Sequence, residues 1–263
     1  MRRQRPHLKK PGNSAWRGKS RRPTRREAPD QVLLYGLHAA ETALANPRRQ
    51  ILRVVATENA AQRLGTLIAQ RGLKPEPATP RDLDRLLGAE TVHQGVALEV
   101  EPLLPVALDE VHPNGILLVL DQVTDPQNVG AALRSAAAFG AAGLVMTERH
   151  SPPLHGALAK AASGALDIVP MVLVKNLAQT LAELGERGVL RVGLAEEADT
   201  ALESAKLMRP LALVLGAEGK GLRQLTRAHC DVVCRISTQS SLASLNVSNA
   251  AAIALHWASL NAR

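Results

Sequence analysis

From about residue 116 onward, apolar residues recur in short unbroken runs, each followed by a polar loop and a helical stretch. Candidate strands are residues 116–120, 143–147, 168–174, 190–194, 211–215 and 232–236. Several of these runs show no alternation, as is typical of parallel strands that helices cover on both faces. Helical spacing occupies residues 128–139, 155–163, 176–185 and 247–260. The pattern predicts an α/β fold with a doubly wound parallel sheet.

The earlier part of the chain has a different rhythm. Helical patterns cover residues 39–45, 59–71 and 80–87, and strand patterns cover 51–56 and 95–100. Residues 1–30 show no periodicity and are predicted to be disordered. We therefore expect a basic arm at 1–30, a small α/β domain at 31–103, a proline-containing linker at 104–113 and a larger α/β domain at 114–263.

The positive charge is concentrated in the arm. Residues 1–30 hold 11 Lys/Arg and 2 Asp/Glu, a net charge of +9, whereas the remaining chain carries a net charge of −1. Such an arm favours a polyanion, most simply RNA or DNA, through phosphate contacts, although a solvated tail that aids solubility is the alternative.

Two cysteines and the apolar runs exclude several other classes. Cys230 and Cys234 form a single Cys-x-x-x-Cys pair, which is weak evidence for zinc, so no metal is expected and both are predicted to lie on one strand as small apolar residues. No apolar run approaches the roughly 18 residues of a membrane span, and no secretory signal is evident. A cytoplasmic location is expected, with a mitochondrial one left open.

Three polar motifs lie at positions where a predicted strand or loop is followed by a helix. In the first, residues 125–134, Asp125 and Pro126 suit a helix start, and Arg134 is the only charged residue between 128 and 138. Its guanidinium either reaches water, pairs with an acid, or clamps a phosphate or carboxylate in a bidentate fork.

The second and third motifs follow the runs 211–215 and 232–236. Gly216 to Gly221 (Gly-Ala-Glu-Gly-Lys-Gly) lacks the Lys-Ser/Thr of a phosphate loop and the Gly-x-Gly-x-x-Gly of a dinucleotide site, which argues against a nicotinamide-dependent enzyme. Its glycines permit either close backbone approach to a ligand or an ordinary turn. Ser244, Asn246 and Ser248 suit either a helix N-cap or the binding of a polar ligand group.

Together and in this order, the three motifs resemble those of the SpoU (TrmH-like) RNA ribose 2′-O-methyltransferases. The residues that carry the resemblance are Asn128, Gly130 and Arg134 (Asn-x-Gly-x-x-x-Arg), Gly216, Glu218 and Gly221 (Gly-x-Glu-x-x-Gly), and 244–248 (Ser-Leu-Asn-Val-Ser). Residues 36–38 and 93–95 also resemble the substrate-binding domain of the RlmB-like branch, so the resemblance spans about 31–263. The chain departs from the family pattern at Ser237, Thr238 and Ser240, where the family usually has Pro, Met and Gly.

The resemblance implies a SPOUT fold with a C-terminal trefoil knot, working as a homodimer. Residues 31–103 would be the RNA substrate-binding domain and 114–263 the methyltransferase domain. S-adenosyl-L-methionine would be the cofactor, in contact with Gly216, Ile236 and Leu245.

The implied reaction is methyl transfer to a ribose 2′-hydroxyl of RNA, foremost a guanosine of 23S large-subunit rRNA. By analogy Arg134 is the principal catalytic residue. Because a guanidinium stays protonated, we expect it to bind the neighbouring RNA phosphate and align the hydroxyl, while Asn128, Glu218 and Asn246 orient Arg134 and the ribose. Two alternatives stay open: a tRNA substrate, and a non-catalytic RNA-binding or ribosome-assembly protein of the same fold.

Overall fold

The structure is a computed structural model that describes residues 32–112, 114–239 and 244–262. The arm at 1–30 and the departure at Ser240 lie outside the described residues. The first part of the chain builds a small sheet with four helices. Its elements in chain order are β1 (Val32–Tyr35), α1 (Leu37–Ala45), β2 (Ile51–Ala56), α2 (Glu58–Arg63), α3 (Gly65–Gln70), β3 (Glu76–Pro77), α4 (Pro80–Leu87) and β4 (Val96–Val100).

The small sheet has the strand order β1-β4-β2-β3, so β1 is an edge strand. Strands β1 and β2 run antiparallel to β4, and β3 runs parallel to β2. The strand predicted over 51–56 and the helix predicted over 80–87 are confirmed. The single helix predicted over 59–71 is wrong: the chain leaves helical geometry at Leu64 (φ −93°, ψ 2°) and starts again at Gly65, the residue of lowest helix propensity after proline.

The second part of the chain builds a seven-stranded sheet. Its elements in chain order are β5 (Ile116–Asp121), α5 (Pro126–Ala138), β6 (Gly143–Thr147), α6 (Ala157–Ala162), β7 (Met171–Val174), α7 (Leu177–Glu186), β8 (Leu190–Leu194), β9 (Thr200–Ala201), β10 (Leu211–Gly216), α8 (Gln224–Ala228), β11 (Val232–Arg235) and α9 (Val247–Asn261). The strand order is β7-β6-β5-β10-β8-β11-β9, and every neighbouring pair is parallel. The predicted α/β class with a parallel sheet and a separate small sheet is confirmed, while the trefoil knot stays a prediction.

Helices cover both faces of the large sheet, which explains its unbroken apolar runs. Along β5, Leu118 and Leu120 belong to the core that also holds buried residues of α5, α6 and α9. Leu117 and Val119 point the other way, into a second core with residues of α7. Alternate positions of the same strand are therefore buried on opposite faces, as parallel strands require.

Two local predictions need correction, and three short elements carry no sequence signal. The strand predicted over 168–174 begins only at Met171, because residues 165–167 form a 3₁₀ turn and Pro170 has no N–H to donate. Cys234 is buried on β11, but Cys230 precedes that strand, so the two do not share it. The short strands β3 and β9 and the helix α8 carry no clear pattern and were not predicted.

The two sheets are joined by a buried contact. The Arg49 guanidinium, beyond α1, meets the Asp167 carboxylate, beyond α6, with Nε–Oδ1 of 2.7 Å and a second bond of 2.8 Å to Oδ2. Their side chains are only 3% and 1% exposed. Nearby, a Cβ added to Gly164 would lie 2.4 Å from Thr42 Oγ1 and 3.1 Å from Ala39 Cα, so the backbones of the two parts approach closely. One apolar core runs through both parts of the chain.

The segment between the sheets lies along the edge of the large sheet. Val106 donates its N–H to the Met171 carbonyl (2.8 Å) and forms a β-bridge with Val172. The division of the chain at 103 and 114 stays a prediction. Within the described ranges, no helix is long and apolar enough to cross a membrane.

Candidate active site

The three motifs converge at the carboxyl ends of the central strands. Strands β5 and β10 are neighbours in register, so that Asp121, the last residue of β5, pairs with Gly216, the last residue of β10. The loop after β5 enters α5, where Asp125 caps the helix by accepting a hydrogen bond from Gln127 N (3.0 Å). Asn128 consequently stands in the first turn of α5, above the end of the sheet.

One side chain from each motif takes part in a single hydrogen-bond network. Glu218 Oε1 accepts from Asn128 Nδ2 (3.2 Å), from Asn246 Nδ2 (2.6 Å) and from Val247 N (3.2 Å). Asn246 Nδ2 also donates to Asn128 Oδ1 (2.9 Å). Residues that are 118 positions apart along the chain are thus in direct contact. A carboxylate holding several N–H donors makes stronger bonds than a neutral acceptor would.

Asn246 has a second role as the N-cap of α9. Its Oδ1 accepts hydrogen bonds from Ser248 N (2.9 Å) and Asn249 N (3.4 Å), and Ser248 Oγ donates to the same atom (2.5 Å). The N-cap alternative for the third motif is therefore confirmed for Asn246, which also joins the network with its amide nitrogen, while the binding of a polar ligand group stays a prediction.

Arg134 lies apart from this network. It is on α5, six residues beyond Asn128, which is about 9 Å along a helix axis. Its side chain is exposed, and it forms no hydrogen bond or ion pair with the residues that the structure describes. The structure therefore brings Asn128, Glu218 and Asn246 together but does not bring Arg134 to them, and the orienting role expected for those three stays a prediction.

A cavity of about 710 Å³ opens beside the network. Its walls are the segments that follow β8, β10 and β11 together with the start of α9. The three residues expected to contact a cofactor, Gly216, Ile236 and Leu245, all line it. Ser237 and Thr238, two positions at which the chain departs from the family pattern, line it as well.

The loop after β10 folds back tightly, and this fixes one wall of the cavity. Gly221 N donates to the Ala217 carbonyl (2.8 Å), and a Cβ added to Gly216 would lie 2.0 Å from the Gly221 carbonyl carbon. Gly219 and Gly221 have φ angles of +73° and +63°, which L side chains rarely adopt. The glycines of the second motif are therefore required by the path of the loop.

One ion pair at this site is not evident from the sequence. Asp121 is completely buried and accepts from Arg223 Nε (2.7 Å) and Arg223 N (3.1 Å). This pair ties the end of the glycine loop to the end of β5. A single charge at the end of the apolar run 116–120 was the one signal in the sequence, but its partner lies 102 positions away along the chain.

One carboxylate lining the cavity has a perturbed pKa. Glu197 accepts a hydrogen bond from its own backbone N–H and another from the Arg227 guanidinium, and these lower the pKa of its carboxyl group. The cavity wall therefore carries a fixed negative charge at Glu197 at neutral pH.

Comparison with known proteins agrees with this geometry. Residues 115–256 match the SpoU rRNA Methylase family, and residues 33–106 match the family described as RNA 2'-O ribose methyltransferase substrate binding. The chain belongs to the SpoU rRNA methylase family. The resemblance drawn from the three motifs is thereby confirmed.

RlmB proteins of several bacteria match most of the chain. The 23S rRNA (guanosine-2'-O-)-methyltransferase RlmB of Yersinia pestis is 41% identical over 234 residues, covering 85% of this chain and 94% of that protein. RlmB of Pseudomonas aeruginosa is 40% identical over 233 residues, covering 84% and 93%. The solved structure of the SpoU methyltransferase AviRb from Streptomyces viridochromogenes with AdoMet has a TM-score of 0.71 at 24% identity, covering 89% and 92%, and supports the fold.

Proposed function

We propose that this protein transfers a methyl group from S-adenosylmethionine to the ribose 2′-hydroxyl of a guanosine in 23S rRNA. The observation that carries the proposal is the network of Asn128, Glu218 and Asn246 at the rim of the 710 Å³ cavity. It joins one side chain from each of three motifs that lie far apart along the chain, at the edge of the sheet where α/β proteins build ligand sites. The relatives of about 40% identity, which carry the name of this activity, extend over both parts of the chain.

The cavity fits the proposed cofactor. Its volume lies within the range of about 300–1,000 Å³ usual for small-molecule sites. Ile236 and Leu245 offer apolar contact for an adenine ring, and Gly216 lets backbone groups approach it. When bound, S-adenosylmethionine supplies an electrophilic methyl group on its sulfonium.

The residues of the chain would act mainly by placement. Glu218 Oε1 holds the amides of Asn128 and Asn246 in fixed orientations, so the second N–H of the Asn128 amide and the other oxygen of the Glu218 carboxylate can position a ribose next to the cavity. Arg134 presents an exposed guanidinium, which suits a bidentate contact to the RNA phosphate. Aligning the hydroxyl oxygen with the methyl group can supply much of the rate, because placement removes an entropic cost from the reaction.

We also propose that the protein works as a homodimer, as the resemblance implies. Helix α9 exposes an apolar strip, with Ile253 at 42% and Leu260 at 69% exposure and Trp257 between them. The buried Trp257 Nε1 makes no hydrogen bond to the part of the chain that the structure describes. A second copy packed on this strip would bury it. Since rRNA is the proposed substrate, a compartment that contains ribosomes is required, and the cytoplasm is the proposed location, with a mitochondrial one left open.

The test is a methyl-transfer assay with labelled S-adenosylmethionine. Undermethylated 23S rRNA and tRNA are offered in parallel, and the modified nucleotide is mapped. Arg134→Ala should lose turnover and keep cofactor binding, whereas the matched control Arg187→Ala, an exposed arginine beyond α7, should behave as wild type.

Each outcome of this assay is informative. Label on a guanosine ribose of 23S rRNA is the expected result. Label on tRNA alone would keep the reaction and replace the substrate. Absence of both label and cofactor binding would favour the non-catalytic alternative.

A further inference from the structure

A second cavity, of about 450 Å³, lies between the two parts of the chain. We call it the interdomain groove. One wall is the edge strand β1 with the start of α1, and the opposite wall is α6 with the two residues before it, His155 and Gly156. It shares no lining residue with the 710 Å³ cavity, so it is a separate site.

Among its described lining residues the groove carries one charge, the cation of Lys160. Lys160 and His38 are exposed in it and His155 is half-buried, while none of its described lining residues is Asp or Glu. The first turn of α1 also opens onto it at His38 and Ala39, and the orphan N–H groups of a helix start favour negative charge. In contrast, the 710 Å³ cavity is lined by Glu196, among other carboxylates. The groove therefore suits an anion.

The same groove exposes an apolar surface. Val92 is 79% exposed and Leu33 is 38% exposed, and the half-buried Tyr35 lies on the same wall. Aromatic residues make up only 2% of the chain, so an aromatic side chain at this place is notable. A ligand that fits must combine an anionic group with a flat apolar one.

The groove is held open by the buried contact between the sheets. The Arg49–Asp167 pair and the close approach of Gly164 to Thr42 fix α1 against the turn that follows α6. Separating the walls would expose a buried ion pair, which is costly. The site is thus preformed, and a ligand need not supply the energy to order it.

The basic arm joins the chain at this groove. Residues 1–30 carry a net charge of +9 and precede Val32, which lines the groove, by a single residue of sequence. All 11 Lys/Arg of the arm thus lie within 30 residues of Val32 along the chain, and this charge favours a polyanion over an isolated small anion.

We propose that the interdomain groove binds an unpaired nucleotide of the substrate RNA, at a distance from the nucleotide that is methylated. This inference rests on the proposed function. Lys160 and His38 contact the phosphate, and Tyr35, Leu33 and Val92 contact the base. A single-stranded segment is the form of RNA whose bases are free to enter such a site. The groove thereby contributes to the choice of substrate without taking part in the reaction.

The experiment measures binding of the full-length protein to undermethylated 23S rRNA over a range of salt concentrations. The variants are the double substitution His38→Ala/Lys160→Ala and the single substitution Val92→Asp. Matched controls are Lys175→Ala and Met208→Asp, an exposed lysine and an exposed apolar residue outside the groove. Cofactor binding is measured on every variant as a check of folding.

We expect the groove variants to weaken RNA binding at least about fivefold, since contacts to single-stranded bases are worth that much or more. The double variant should also lower the slope of log affinity against log salt by about 0.7 for each phosphate that the protein no longer neutralises. RNA substituted with 4-thiouridine should cross-link to the peptide that contains Tyr35.

Groove variants that bind RNA like their controls would overturn the proposal, whatever the methylation assay shows. If wild type binds RNA through the groove but labels no ribose, the proposed function fails and the groove remains an RNA site.

Discussion

The buried pair of Arg49 and Asp167 gives the sharpest test of how the two parts of the chain are held together. Asp167 accepts three hydrogen bonds: from Arg49 Nε (2.7 Å), from a terminal guanidinium nitrogen of Arg49 (2.8 Å) and from Asn46 Nδ2 (3.0 Å). The substitution Asp167→Ala removes all three. It leaves the Arg49 guanidinium, 3% exposed, with no counter-ion in its ion pair.

The expected cost follows from this burial. Removing one partner of a buried ion pair typically destabilises a protein by about 3–5 kcal/mol, because the remaining charge is neither hydrated nor paired. For a chain of this size, that lowers Tm by roughly 6–20 °C. Arg49 Nη1 keeps its hydrogen bond to the Glu101 carbonyl oxygen (2.9 Å). We therefore expect a loss in the lower half of the range of about 3–5 kcal/mol.

The double variant Arg49→Met/Asp167→Leu separates charge burial from impaired packing. Replacing both partners by apolar side chains of similar size is often neutral or stabilising. We therefore expect the free energy of unfolding of the double variant to lie within about 1 kcal/mol of the wild-type value, and that of Asp167→Ala to lie further below it. Asp109→Ala, which changes an exposed carboxylate in the segment between the sheets, serves as the control and should change stability by less than about 0.5 kcal/mol.

The assay is urea unfolding followed by far-ultraviolet circular dichroism, which reports on both sheets. A free energy of unfolding for Asp167→Ala within about 1 kcal/mol of wild type would show that the reasoning is wrong. A double variant as unstable as the single one would show that the cost arises from shape and not from charge.

Four further predictions concern the candidate active site, the Cys230 thiol and the basic arm. Arg134→Lys should lower kcat about 100-fold with unchanged cofactor affinity, because a lysine cannot form the bidentate contact; near-normal turnover would contradict the phosphate clamp. Gly216→Ala should abolish cofactor binding measured by calorimetry, since its Cβ would lie 2.0 Å from backbone, whereas Gly65→Ala, with nothing within 4 Å, should retain it. Burial raises the pKa of the Cys230 thiol to about 11, so iodoacetamide should label it slowly at pH 8 until urea is added. Because the pKa of this thiol is higher in the folded protein, the neutral thiol contributes to the free energy of unfolding. This contribution is present below the pKa of the thiol in the unfolded chain and is lost as pH rises towards about 11. Rapid labelling of the native protein would refute the burial. Deleting residues 1–29 should weaken RNA binding and flatten its salt dependence while cofactor binding survives, and an unchanged salt slope would refute the role of the arm.

The proximity of the three motifs could be predicted from the sequence, because parallel strands end at the same edge of a sheet. Runs such as 211–215 predict buried strands by their lack of alternation, and the residues directly after each run must lie at that edge. The contacts of Asn128, Glu218 and Asn246 are the outcome of that geometry. Arg134 shows where the inference stops, since its exposed position depends on which face of α5 is buried.

The ion pairs between residues far apart along the chain could not be predicted in the same way. Asp121 and Arg223, like Arg49 and Asp167, are separated by more than 100 residues, and no local pattern marks two distant charges as partners. The short strand β9 and the five-residue helix α8 are too brief for any periodicity. Their positions are decided by tertiary packing and not by local preference.

The position of β10 between β5 and β8 has a consequence for how the chain acquires its fold. Ile116 pairs with Leu211, and Leu211 pairs with Leu190, so one late segment supplies the common neighbour of two earlier ones. Until that segment emerges from the ribosome, β5 and β8 each present an unsatisfied edge, which invites pairing with other chains. The sheet therefore becomes continuous only after residues 211–216 have been synthesised, and a nascent chain stalled before residue 211 would be a candidate for chaperone capture.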